Sequence, residues 1–135
     1  MRIAYLDCLS GISGDMTLGA LIDAGIDPST IQAGIDSLGL PSCELVVEEP
    51  TRHGFRAVNV QVKHDEEHSH RHLHHITEMI DNSQLTESQK NLSKEIFRHL
   101  AEAEARVHNS SIEKVHFHEV GAVDSIADVV GSAIG

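Results

Sequence analysis

The chain has 135 residues, a formal charge of −11 with histidine counted neutral, 40% hydrophobic residues and no tryptophan. That length suits one domain with a sizeable core, and the aliphatic content excludes a disordered chain. The acidity gives no general attraction to nucleic acid or to anionic membranes, and it does attract cations. No stretch approaches the roughly 18 apolar residues that a membrane span needs. Two cysteines, Cys8 and Cys43, make no disulfide framework and suit a reducing compartment. No apolar h-region with a cleavage site follows Met1, so the expected location is the cytoplasm.

Taken in chain order, Ile3–Leu6 is a short apolar run that predicts a buried strand ending at Asp7. A glycine and serine turn follows at 10–15. Met16, Leu18, Leu21 and Ile22 then recur at helical spacing up to a stop at Gly25. Asp27-Pro28-Ser29-Thr30 starts a second helix ending near Gly39. Residues 43–49 and 55–63 predict two strands joined through Thr51–Gly54, with Val58, Val60 and Val62 alternating with polar neighbours. Ile76, Met79 and Ile80 predict a short helix. Thr86 with Gln89 is a capping box that opens a longer one, whose apolar residues Leu92, Ile96, Leu100, Ala103 and Val107 share a face. Residues 115–119 read as extended and the chain from Ala122 as helical. The expected class is mixed α/β, helices packed on a small sheet. The apolar end, DSIADVVGSAIG, reads as a helix without a polar cap. Left exposed, it predicts self-association into a homo-oligomer.

Three constellations carry chemistry. In residues 65–75, DEEHSHRHLHH, five positions are histidine. Imidazole is a good ligand for nickel, zinc, copper and iron. If the stretch is extended, His68, His70, His72 and His74 lie on one side; if it is helical from about residue 71, His72 and His75 share a face. The bland reading is a polar surface loop. The spacing alone does not choose nickel over zinc. The second constellation, VHFHEVGAVDSIADVVG, holds His116, His118, Glu119, Asp124 and Asp128. Asp124 and Asp128 share a helix face, and Gly121 permits a turn that brings His118 or Glu119 toward Asp124. The alternative is core-edge histidines with capping carboxylates. The third is DCLSGISGD. A glycine turn between strand and helix exposes backbone N–H groups suited to a phosphate, and Asp7 and Asp15 flank it as ligands for a divalent ion. The alternative is a tight turn with Asp15 as a cap.

Together, DCLSGISGDMTLGALIDAG at 7–25, HSHRHLHHI at 68–76, LAEAEARVH at 100–108 and VHFHEVGAVDSIADVVG at 115–131 resemble the LarC family of nickel insertion proteins. The resemblance implies insertion of nickel into pyridinium-3,5-bisthiocarboxylic acid mononucleotide to make the nickel-pincer nucleotide cofactor, with CTP and Mn²⁺ or Mg²⁺. It also implies a longer protein whose C-terminal region binds nucleotide. Residues 1–135 are then an N-terminal region cut short at its C-terminal end, with a histidine-rich loop at 64–75, and this part alone is expected to be inactive. Under this reading, His68, His70, His72, His74 and His75 deliver nickel. His116, His118, Glu119 and Asp124 form the catalytic group, one of the first three acting as general base. Asp7, Ser10, Gly11, Ser13, Gly14 and Asp15 hold the substrate's phosphate. The competing reading is a nickel or zinc storage or delivery module without chemistry of its own.

Overall fold

The computed structural model describes residues 3–65, 71–117 (backbone only at His116) and 121–135. Helix α1 (Gly14–Asp23) opens at Ser13 and ends where Gly25, at φ +105°, turns the chain. Its end is closed by the Gly25 N–H donating to the Ile22 carbonyl and the Ile26 N–H to that of Leu21. Helix α2 (Pro28–Asp36) has proline in its first turn and Asp27 as N-cap, whose carboxylate accepts the Ser29 N–H at 2.9 Å. Strand β1 (Glu44–Glu48) follows, then β2 (Thr51–Arg52) and β3 (Phe55–Arg56) around His53 and Gly54. Both of these have positive φ, the conformation of a tight two-residue hairpin. Strand β4 (Asn59–Lys63) returns antiparallel to β1, with Val47 opposite Val60.

Strand β5 (Arg71–His72) leads directly into α3 (Leu73–Asn82), and α4 (Glu87–Val107) begins at the expected capping box. The Gln89 N–H reaches Thr86 Oγ1 at 3.3 Å, and Gln89 Oε1 accepts the Thr86 N–H at 2.9 Å. A 3₁₀ turn (Ile112–Lys114) precedes β6 (His116–Phe117), which pairs antiparallel with β5, and α5 (Val123–Ile134) closes the described chain. The class is mixed α/β, as expected. The described strands form three separate two-stranded pairs instead of one sheet.

The core has two parts, and α5 serves both. Ile126 and Val130 join Ile76, Ile80, Phe97 and Phe117 on one side; Ala127 joins Leu18, Ile31, Ile35 and Val60 on the other. A Cβ at Gly131 would stand 2.8 Å from Leu18 Cδ2, so glycine there lets α1 and α5 approach closely. Between α2 and β1, the half-buried Gln32 accepts the Leu45 N–H at 2.7 Å and donates to the Cys43 carbonyl at 2.9 Å.

Three expectations fail. The apolar end of the chain is not an exposed face: α5 lies against α1, α2 and α4, which removes the reason given for self-association. The buried face of α4 is Ser93, Phe97, Ala101 and Ala105, one register from the predicted stripe, and Leu92 and Val107 are exposed. Small residues at 93, 101 and 105 let the helix sit close to its neighbours around the single large Phe97. Last, residues 3–7 are not a buried strand. They pair with no strand among the described residues, and Ile3, Tyr5 and Leu6 are 80%, 86% and 62% exposed.

Candidate functional site

The structure builds two clusters. The first lies where the start of α1 meets α5. Asp15, Asp124 and Asp128 line one open pocket of about 360 Å³, floored by Val60, Gln61 and Val62 of β4. Asp124 and Asp128 share a face of α5 as their spacing requires, and Asp15 comes from the first turn of α1. Asp128 is half-buried, and its Oδ1 has no hydrogen-bond partner. Burial first, then the charges of Asp15 and Asp124, push its carboxyl up to about 6. Gly14 makes the arrangement possible, since a Cβ there would collide with the Asp128 carboxylate. Glycine at this position serves the close packing of α1 on α5. The Ser13 hydroxyl donates to the Asp15 carboxylate. A carboxylate in the first turn favours the helix dipole but disfavours a bare phosphate at the same end. Cys43 is held as a thiol by burial first, then by Asp36, Asp124 and Asp128, which makes it a weak ligand and nucleophile.

The turn before α1 is different. Asp7, Cys8, Ser10 and Gly11 are exposed, and the Gly11 N–H donates to the Cys8 carbonyl at 3.1 Å. Of the predicted phosphate-binding group, only Asp15 lines the carboxylate pocket, with Gly14 packed beneath Asp128.

The second cluster lies at the junction of β5 and α3. The rings of His74 and His75 are 3.9 Å apart between centroids, and that of His72 lies 5.5 and 5.6 Å from them. His72 Nδ1 faces the Val115 carbonyl at 3.0 Å. A proton on Nδ1 would satisfy that carbonyl and leave the basic lone pair on Nε2, while the capping box at the start of α3 also sets the His72 ring to accept the His75 N–H. His75 is set the other way. Its Nδ1 accepts the His72 N–H at 3.1 Å, so the proton of the neutral ring sits on Nε2. To ligate, His75 must give up that cap. His74 is exposed. Among the described residues, no group of three His, Cys, Asp or Glu side chains is arranged to hold a metal ion.

The first and second constellations meet through backbone. In the β5–β6 pair, Arg71 is opposite Phe117 and His72 opposite His116. The buried Arg71 donates from Nη1 to the Gly121 carbonyl at 2.8 Å, tying the histidine-rich stretch to the turn before α5. Nothing in the sequence marks this arginine except its place among histidines. His68, His70, His118 and Glu119 lie outside the described residues, as does the side chain of His116.

Residues 4–135 match the family described as nickel insertion protein. The chain belongs to that family. A relative from Rhodopirellula baltica is 58% identical over 134 residues, 98% of this chain and 34% of that protein. The pyridinium-3,5-bisthiocarboxylic acid mononucleotide nickel insertion proteins of Desulfitobacterium hafniense and Acetivibrio thermocellus are 49% and 48% identical over 100% and 99% of this chain. The chain thus spans about a third of the length of these relatives. No solved structure matches it. No helix among the described residues is long and apolar enough to cross a membrane.

Proposed function

We propose that this chain is the N-terminal region of a protein that inserts nickel into pyridinium-3,5-bisthiocarboxylic acid mononucleotide, in a reaction that consumes CTP in the cytoplasm. The observation that carries the reading is the β5–β6 pairing, which sets His72 opposite His116 within a member of the nickel insertion family. Insertion at a ring carbon needs a dehydrated Ni²⁺ and a base for the departing proton. Imidazole holds nickel while leaving it exchangeable, so His72, His74 and His75, with His68 and His70, are the delivery group. His116, His118 and Glu119 are the candidates for the base.

The carboxylate pocket has another part. Its donors are all oxygen, the set preferred by Mn²⁺ and Mg²⁺ over a soft ion, and the unpartnered Oδ1 of Asp128 fits a cation. An ion there would draw on Asp15, Asp124 and Asp128, whose carboxylates line the pocket but would have to close in to share it, and it would supply charge neutralisation for a phosphate. The exposed turn of Asp7, Ser10, Gly11 and Ser13 would then meet the phosphate through backbone N–H groups.

The test is a calorimetric nickel titration of this chain beside a variant with His68, His70, His72 and His74 all changed to Ala, followed by insertion assays in the longer protein with CTP. Loss of nickel binding and of insertion together supports the reading. Nickel binding lost with insertion intact makes the stretch a reservoir, which is the storage alternative. Nickel binding unchanged removes the stretch from the site.

A further inference from the structure

The N-terminal segment presents a contradiction. Its sequence is that of a strand buried on both faces: an unbroken apolar run, Ile3-Ala4-Tyr5-Leu6, entering a glycine turn. Its surroundings are solvent. Leu9 is 95% exposed, and Ile12 and Met16 continue the same apolar surface into the first turn of α1. Scattered apolar residues on a surface are ordinary, but six within fourteen positions are a patch that calls for a cover. The backbone makes the same demand, because among the described residues no strand pairs with residues 3–7.

We infer that residues 3–7 are a β-strand whose sheet is supplied by the part of the longer protein that has no counterpart in this chain. Two arguments choose that occupant. About two-thirds of the Rhodopirellula baltica relative lies outside the portion matched here, so such a segment exists in the family. A covalently attached strand is also present at a high effective concentration, whereas a second copy carries the same −11 charge and is repelled. The cover includes a strand, because only a strand pairs the free backbone groups, while the two apolar faces are buried by whatever packs on that sheet. The consequence reaches the site. Residues 3–7 lead straight into Cys8–Gly11 and α1, so pairing would fix the turn that carries Asp7, Ser10 and Gly11 ahead of Asp15. The inference rests on family membership and not on the reaction proposed above.

Hydrogen–deuterium exchange with mass spectrometry tests it without any variant. The peptide covering residues 3–9 is followed in this chain, and the aligned peptide in the full-length Rhodopirellula baltica relative, with light scattering on both samples. Exchange should be fast in this chain and at least ~100-fold slower in the longer protein, the protection of a paired strand. Fast exchange in both proteins overturns the inference. Protection in this chain together with a dimer's mass also overturns it, in favour of a second copy as the cover.

Discussion

The carboxylate pocket and the histidine cluster lie at opposite extremes of how a protein prepares charged ligands. At the first, three acidic side chains are brought together by helix packing from distant parts of the chain, and one is half-buried without a hydrogen-bond partner. The site exists only because α1 and α5 pack, and burial with two neighbouring carboxylates raises the Asp128 carboxyl to about 6. At the second, three rings come from four consecutive residues and are arranged by local backbone bonds: His72 through Val115, His75 through the cap of α3. The first is specified by the tertiary fold, the second by four residues and a strand–helix junction. Carboxylates and imidazoles are thereby gathered in separate clusters.

The sharpest way to break the comparison is Gly14→Val. The added side chain meets the Asp128 carboxylate, so the domain should lose ~1–3 kcal/mol in a denaturant titration. Nickel affinity at the histidines should not change. A joint loss would show that the two clusters are one site. The reciprocal change is the triple variant His72→Ala, His74→Ala, His75→Ala. Nickel binding by calorimetry should weaken at least about tenfold, or ~1.4 kcal/mol, with the effect of Mn²⁺ on melting unaltered.

Asp128→Asn sharpens the electrostatic half. The folded-state carboxyl titrates at about 6, above its ordinary value of 3.8, so the folded protein holds the proton more tightly than the unfolded chain does. The associated stability is fully present below about 3.8 and is lost as pH rises to 6. The variant should therefore match the native chain near pH 4 and exceed it at pH 7 by roughly 1 kcal/mol, a figure reduced for half-exposure. Melting curves across that range check it, and millimolar Mn²⁺ should erase the difference at pH 7. The smallest effect is expected outside both clusters. Tyr5→Lys should move stability by no more than ~0.5 kcal/mol in this chain, because the ring contacts solvent; a larger loss in a melt would mean that residues 3–7 already have a partner.

What was legible in the sequence follows the same division. The helix start at Asp27-Pro28, the Gly25 stop and the Thr86–Gln89 box are local chemistry, and each appears where the residues put it. So does the turn at His53-Gly54, although it sits between shorter strands than predicted. The pairing of Asp124 with Asp128 follows from helical spacing. Their meeting with Asp15 does not, because periodicity says nothing of which helix lies alongside. The face of α4 was misread because two stripes, one residue apart, compete in its sequence, and contact with α3 and α5 decides between them. Ile3–Leu6 has the composition of a strand, but a strand also needs a neighbour. Family membership was legible in the four motifs, whereas the roles of individual residues within them stand as proposals.

Helix α5 also sets how the domain comes apart. It contributes to both halves of the core, and Ile134 packs against each. Neither half can melt while the other stays intact, because the same helix would have to be both lost and retained. Heating should give one transition, with calorimetric and van't Hoff enthalpies in agreement. Amides of α5 should exchange only through global unfolding. Two of the three pocket carboxylates, Asp124 and Asp128, thus ride on the last element to open.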